Sequence, residues 1–238
     1  MSIYYQDDSV TLHHGDCMEV LPTLSGVDLV VTSPPYNLGN MTGGLANLAG
    51  GYRTYADSRA DAEYVAWQRE VISACWGALN DDGAIFYNHK PLIKDRTATL
   101  PTRLIPDGVP LRQIVIWYRQ MGVNWAPTHF LPVHEWMMIL AKRDWTLRDK
   151  SVSHLSDVWP IRPDMGNNEH PAPFPLALPA RAIDATTAKV VLDPFAGSGT
   201  TLRAAVDAGR KAIGIEMDER YCEIIAKRLA QGALDFAS

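Results

Sequence analysis

Cysteine is scarce in this chain, and what little there is excludes two common roles. Cys17, Cys75 and Cys222 are widely separated, odd in number and without CxxC spacing, so they support neither a disulfide framework nor a zinc site. Long apolar runs are absent too: no stretch approaches the roughly 20 residues that a membrane span requires. The opening MSIYYQDDSV has neither a basic start nor an apolar core, so a cytoplasmic protein without a membrane partner is expected. Positive charge is not in excess either, with 22 Lys and Arg against 27 Asp and Glu. A polyanion could therefore not be held by bulk charge. Lys90, Lys94, Arg96, Arg103, Arg112 and Arg119 nevertheless fall in the middle third, followed by Lys142, Arg143, Arg148, Lys150 and Arg162, which leaves room for a local basic cleft. The GxxxxGK[ST] pattern is missing, so a triphosphate cradle is not supported.

What is present is the composition of a globular domain: 238 residues, 47% hydrophobic and 21% charged, enough for one domain over residues 1–238 with a substantial core. Short apolar runs alternate with helical patterns. Strands are predicted at 28–32 (DLVVT), 84–88 (AIFYN), 113–118 (QIVIWY), 136–141 (WMMILA), 189–193 (KVVLD) and 212–216 (AIGIE). Helices are predicted over 61–79, 200–208 and 219–229. The alternation predicts an α/β, Rossmann-like fold with a mostly parallel twisted sheet. Residues 38–60 and 144–175 lack periodicity and read as long irregular segments, a common place for functional loops.

Two strand-to-turn junctions carry chemical information. KVVLDPFAGSGTT runs a buried strand into a turn with Gly197 and Gly199 and then a helix from Thr200, a turn that lets a ligand approach the backbone. Asp193 at the strand end would repel phosphate and suits a cationic group such as an amino-acid ammonium. Glu216, 23 residues on at the end of the next strand, suits ribose hydroxyls. Together these describe S-adenosylmethionine. The alternative is that both acids merely cap the helices that follow.

The second junction is DLVVTSPPYN. A rigid Pro-Pro turn accounts for two of its residues but not for the string. TSPPYN resembles the catalytic motif of DNA amino-methyltransferases, and DPFAGSGTT resembles their cofactor motif. The catalytic motif comes first, the permuted order of the family's β-class. HPAPFPLALPARAI at 170–183 resembles the family's additional cofactor-side segment, and LHHGDCMEVL at 12–21 the segment before the catalytic strand. The resemblance implies a cofactor set of Asp16, Thr32, His170, Phe174, Asp193, Phe195, Gly197, Gly199, Thr200 and Glu216, with Asp16 toward the adenine amine. It implies a catalytic set of Ser33, Pro34, Pro35 and Tyr36. No metal is implied.

An exocyclic amine conjugated into a heteroaromatic ring is a poor nucleophile. In the reading that follows, Ser33 Oγ and the Pro34 carbonyl accept its protons, Pro35 stiffens the turn and Tyr36 stacks on the base, so that the amine can attack the cofactor methyl in line. A base inside a duplex must first be flipped out, at a cost of a few kcal/mol. Ring-carbon methylation of cytosine is disfavoured, because none of the three cysteines follows a proline. Ser rather than Asp at the head of the motif, with Phe174 in HPAPFP, favours cytosine N4 over adenine N6, and both stay open. An RNA or protein methyltransferase, or a non-catalytic cofactor-binding protein, is the remaining alternative, opposed by Ser33 and the motif order.

Target recognition has little sequence to occupy: a short insertion at about 144–168, too small for a separate domain. Recognition then rests on loops, or on a second subunit in a homodimer. Trp125, His129, Trp145, His154 and Trp159 lie in or near this region, with Trp159 read as a loop anchor. The segment from Leu38 to Asp57, with Tyr52, Arg53 and Tyr55, is the candidate for closing over base and cofactor.

Overall fold

The computed structural model describes residues 2–38, 58–122, 124, 127–163 and 175–235. In chain order the elements are β1 (Ser2–Gln6), β2 (Val10–His14), the short helix α1 (Cys17–Val20), β3 (Val27–Thr32), α2 (Asp61–Ala78), β4 (Leu79–His89), the hairpin strands β5 (Leu92–Lys94) and β6 (Thr97–Thr99), and β7 (Leu111–Tyr118). Then come β8 (His134–Ala141), α3 (Lys150–Ser153), β9 (Val158–Pro160), α4 (Ala177–Asp184), β10 (Val190–Asp193), α5 (Thr200–Asp207), β11 (Lys211–Glu216) and α6 (Glu219–Asp235).

Nine of the strands form one sheet in the order β1-β2-β11-β10-β3-β4-β8-β7-β9. β2, β11, β10, β3 and β4 run parallel to one another. β1 is antiparallel to β2, and β8 is antiparallel to both β4 and β7. The six strands expected from the sequence all lie in this sheet, and the expected helices are α2, α5 and α6. The residues of 144–175 expected to be irregular are in part regular: α3 begins at Lys150, and β9 pairs with β7 in parallel. Three-residue strands carry too short a pattern to be read from periodicity. α4 was hidden by prolines, yet Pro179 sits in its first turn, where no backbone N–H is needed.

Alternation along the strands explains the layers. Leu29 and Val31 of β3 join Phe86, Ala182, Leu202 and Ile225 in one core, on the side of α4, α5 and α6. Val27 and Val30 join Ile85, Tyr64, Val71 and Ile72 in the other, on the side of α2. Helices on both faces therefore bury both sets of side chains, which is why these strands read as near-continuous apolar runs. Among the described residues no helix is long and apolar enough to cross a membrane.

From β3 the chain moves through α2 to β4 on one side, and from β10 it moves through α5 to β11 on the other. The strand order thus reverses between β3 and β10. In open α/β sheets the crevice at such a reversal, beyond the carboxyl ends of the strands, is where ligands bind.

Candidate active site

Both motifs emerge at this reversal. TSPPYN leaves the end of β3, DPFAGSG leaves the end of β10, and Thr32 Oγ1 donates to Asp193 Oδ1 at 2.7 Å across 161 positions of sequence. Asp193 is 4% exposed. It also accepts from the Phe195 N–H at 3.0 Å. Burial pushes its carboxyl up to about 6, opposed by the Thr32, Thr201 and Phe195 donors. Among the described residues an ionised carboxylate here has no positive partner.

The next strand ends extend the row. On β11, Glu216 accepts from the Gly197 N–H at 2.8 Å through Oε2 and from the Asp218 N–H at 2.8 Å through Oε1. Burial pushes it up to about 7. β2 lies beside β11, with His14 opposite Glu216, and the Gly15 N–H donates to the Glu216 carbonyl at 3.0 Å. Asp16 follows directly, its Oδ1 taken by the Met18 N–H at 2.9 Å as the cap of α1. Asp16, Glu216, Asp193 and Thr32 therefore stand on four adjacent strand ends. Neither Asp193 nor Glu216 caps the next helix: Gly199 occupies that position for α5, and Asp218 Oδ1 accepts from the Arg220 N–H at the start of α6.

The loop after β10 is shaped by two glycines in the left-handed region, Gly197 at φ 52° and Gly199 at φ 78°. A Cβ on Gly199 would stand 2.9 Å from Ile225 Cγ1. Phe195 packs edge-on against Trp67 of α2 at 5.7 Å. Thr200 is buried, 3.4 Å from Arg228 Nη1. His170 and Phe174 lie outside the described residues, as do Trp125, Tyr52, Arg53 and Tyr55.

The catalytic-motif residues are held by a polar network. Ser33 Oγ is 3.0 Å from the Tyr36 hydroxyl and 3.2 Å from Asn88 Oδ1. The Tyr36 hydroxyl lies 2.7 Å from Asn88 Oδ1 and 3.0 Å from Glu135 Oε2, and Glu135 pairs with Arg119 at 3.2 Å. Asn88 Nδ2 donates to the Trp136 carbonyl at 3.1 Å, which fixes the amide with its oxygen toward Ser33 and Tyr36. Each hydroxyl has one proton. However these protons are shared out, that of Ser33 is directed inward, to Asn88 or Tyr36, and lone pairs of Ser33 Oγ stay available to an incoming N–H. Burial raises the Tyr36 phenol well above its ordinary value, with Glu135 adding to the effect, so Tyr36 is a neutral donor. Its ring is tilted 35° against His89 with centroids 4.5 Å apart, and the Lys90 ammonium stands 5.6 Å from the ring centroid.

A second set holds the Pro-Pro turn. The Pro35 carbonyl faces the Tyr64 hydroxyl at 2.8 Å and Gln68 Nε2 at 3.2 Å. The Tyr87 hydroxyl donates to Gln68 Oε1, orienting that amide. Desolvation lowers His89 to about 4, so the ring is neutral. Its Nδ1 faces the Lys90 carbonyl at 3.0 Å and its Nε2 the Tyr64 hydroxyl at 2.8 Å. The Tyr64 hydroxyl donates to the Pro35 carbonyl, beside Gln68 Nε2. At the exit of the motif, Asn37 adopts φ 57° and its side chain pairs with the backbone N–H and carbonyl of Arg59 at 2.6 and 2.9 Å, closing the base of the segment between them.

Asn88, His89, Glu135, Arg119 and Gln68 were not anticipated from the sequence. Gln68 had a signal: it falls on the apolar stripe Tyr64, Val71, Ile72 and Cys75 of α2 and is fully buried. Asn88 and His89, buried polar residues closing an apolar strand, had the same signal. Trp145 is buried and packs on Phe86, and Trp159, read as a loop anchor, is buried and takes the Arg181 guanidinium at 5.1 Å. Several of the basic residues are bound internally. Arg103 grips Asp61 at 2.6 and 2.7 Å, and Arg112 caps the Lys142 and Arg143 carbonyls. All three cysteines are buried, and burial pushes the Cys17 and Cys222 thiols up to about 12 and Cys75 higher, which removes thiolate chemistry. A cavity of about 530 Å³ opens elsewhere, between α4 and the β7–β8–β9 edge; Ala177, Ala180 and Arg181 of the 170–183 segment line it, but none of the candidate catalytic or cofactor residues does.

Known proteins resemble this chain in sequence and in fold. Type II methyltransferase M.ScaI of Streptomyces caespitosus is 30% identical over 266 aligned positions, covering 95% of this chain and 83% of that protein. DNA adenine methyltransferase YhdJ of Escherichia coli (strain K12) is 26% identical, covering 94% and 84%. Among solved structures, the cytosine-N4-specific PvuII DNA methyltransferase superposes with a TM-score of 0.76 at 21% identity, over 94% of this chain and 87% of that one. A DNA modification methylase of Thermus thermophilus, TTHA0409, complexed with S-adenosyl-L-methionine, superposes at 0.65 with 25% identity, over 92% and 93%. A sequence profile of the N6/N4 DNA methylases matches residues 27–227, from the first residue of β3 to the middle of α6. The sheet is thus one shared with these solved structures, and the chain belongs to the N6/N4 DNA methylase family.

Proposed function

We propose that the chain, acting as one methyltransferase domain, transfers a methyl group from S-adenosylmethionine to the exocyclic amine of a base flipped out of DNA, with cytosine N4 preferred over adenine N6. The observation that carries this reading is the Ser33 hydroxyl, its proton turned inward, at the strand end next to the one that bears Asp193.

The residues fit the cofactor. Asp193 is a buried carboxylate with no cationic partner among the described residues, suited to an ammonium. Glu216 keeps lone pairs beyond its two backbone bonds for ribose hydroxyls, and Asp16 stands at the far end of the row. From β2 to β3 is three strand spacings, about 14 Å, a span suited to an extended nucleoside bearing an amino acid. When bound, the cofactor supplies an electrophilic methyl. The chain's own part is to hold and to polarise. Ser33 Oγ and the Pro34 carbonyl accept hydrogen bonds from the amine's N–H groups and draw its lone pair out of conjugation, while Gln68 and Tyr64 fix the turn that aims them. The N–C bond forms as the S–C bond breaks to leave a neutral thioether, and the amine loses one proton to solvent during or after attack. Tyr36, anchored by Asn88 and Glu135, offers the ring face not covered by His89 to the base. The preference for cytosine rests on Ser33 at the head of the motif, and the relatives include both a cytosine-N4 and an adenine enzyme. Recognition is assigned to loops, the short insertion at about 144–168 among them.

The test is incubation of the purified protein with unmethylated DNA and labelled S-adenosylmethionine, then digestion to nucleosides and mass spectrometry, with Ser33→Ala as control. N4-methylcytosine from the wild type, reduced at least about a hundredfold in Ser33→Ala, is the expected result. N6-methyladenine overturns the base assignment, and no methylated nucleoside from varied DNA overturns the reading.

A further inference from the structure

The connection between β7 and β8 leaves the sheet at the edge that carries Ser33. His89 at the end of β4 lies opposite Trp136, and Tyr118 at the end of β7 lies opposite His134. The described residues of this connection, 119–122, 124 and 127–133, therefore continue past the strand ends, and β8 is two strand spacings from β3, about 10 Å.

This projection is braced. The Arg119 N–H donates to the Val133 carbonyl at 2.9 Å, and Arg119 Nη2 donates to the Pro132 carbonyl at 3.0 Å. Farther out, Asn124 Nδ2 donates to the His129 carbonyl at 2.8 Å. A Cβ on Gly122 would stand 2.5 Å from the Pro132 oxygen, so the two arms are in contact there. The brace holds up Phe130, 98% exposed, with Leu131 and Met121 about half exposed on the same projection. A lone exposed apolar side chain is ordinary. A phenyl ring with its whole surface in water, on a braced hairpin beside a reactive motif, is a feature that a partner completes.

We propose that Phe130 is a wedge that enters the DNA base stack as the target base leaves it. The inference rests on the DNA reading above. A flipped base leaves two base faces unstacked, and a flat apolar ring is the shape that fills the gap. A second copy of the chain is the poorer occupant, because a stable dimer needs about 800 Å² from each partner and a single ring with its neighbour cannot supply it. Charge at the base of the projection suits a phosphate backbone: the exposed Arg162 bonds Gln120 there at 3.0 Å, and Lys90 stands over Tyr36. Arg119 is shared between the hairpin and Glu135, and Glu135 meets the Tyr36 hydroxyl, so wedge and catalytic motif are mechanically joined.

The experiment uses a duplex carrying the site methylated by the wild type, with 2-aminopurine beside the target, and a second duplex with a mismatch opposite the target base. Phe130→Ala and Phe130→Trp are compared with wild type for kcat/KM and for 2-aminopurine fluorescence. We expect Phe130→Ala to lose about tenfold or more on the paired duplex, with a smaller fluorescence rise, and the mismatch to shrink the deficit to about threefold or less. Phe130→Trp is expected to keep most of the paired-duplex activity. Wild-type rates for Phe130→Ala on the paired duplex overturn the wedge while the wild type's own activity upholds the DNA reading. An equal deficit on both duplexes also overturns it, since a plain contact would not distinguish them. Loss of a sedimenting dimer in place of lost fluorescence assigns the ring to a second copy and overturns the wedge. A wild type inactive on all DNA overturns both readings.

Discussion

Asp193→Asn removes a charge that the folded protein holds at a cost. The displacement of this carboxyl from 3.8 to about 6 corresponds to about 3 kcal/mol against folding wherever the group is ionised. The folded-state value is raised, so the associated stability is present in full below the ordinary aspartate value and is lost as the pH climbs through about 6. Asparagine does not titrate and keeps an oxygen for Thr32 and the Phe195 N–H, though its amide nitrogen leaves a donor in a buried place. That penalty is the same at every pH, so the diagnostic is the difference between variant and wild type in unliganded protein. It should shift in favour of the variant by about 2 to 3 kcal/mol between pH 4 and pH 8, read from urea denaturation midpoints at constant m. Cofactor affinity should move the other way. Loss of a charge-assisted contact to an ammonium weakens binding about ten- to a hundredfold in calorimetry at pH 8. A stability difference that is flat with pH refutes the buried-charge argument. An unchanged affinity refutes the ammonium assignment.

Gly199→Ala forces a Cβ to within 2.9 Å of Ile225 at a φ of 78°, and should cost about 2 to 4 kcal/mol in the denaturation midpoint; an unchanged midpoint would show that the α5–α6 contact yields freely. Gln68→Leu strips the Tyr87 hydroxyl and the Pro35 carbonyl of a buried partner. It should lower stability by about 1 to 3 kcal/mol and kcat by roughly tenfold while leaving cofactor affinity within about twofold. A wild-type kcat in a protein with a lowered Tm would reduce Gln68 to a packing residue.

The central strands, three of the longer helices and both motif junctions were legible because each carries a local signal: a continuous apolar run, a helical stripe or a glycine-bearing turn. The relation between the junctions was not local. That Thr32 would touch Asp193 depends on β3 and β10 being neighbours, a fact about strand order that no window of sequence contains. The network behind Ser33 was hidden for a similar reason, since Asn88, Glu135 and Arg119 come from β4, β8 and the loop after β7. The three-residue β9 and the proline-bearing α4 were missed because their patterns are too short or resemble a breaker. Asp193 and Glu216 were read as ligand-facing or as caps of the helices that follow; both accept from loop N–H groups and neither caps, while Asp16, read toward the adenine amine, also caps α1.

The bond from Thr32 to Asp193 also sets a timetable. β3 is made early and its neighbour β10 about 160 residues later, an interval of roughly 8 to 30 s at ordinary rates of synthesis. Through that interval VDLVVT has one flank without its partner strand and cannot bury it within the nascent chain. An unpaired apolar edge of that kind invites pairing with a neighbouring chain. The same delay means that no partial chain ending before β10 can form the crevice, so cofactor capture waits for the last third of the molecule. A permuted order of motifs therefore makes the protein all-or-nothing at birth: the catalytic half is synthesised first and has nothing to work with until the other half folds beside it.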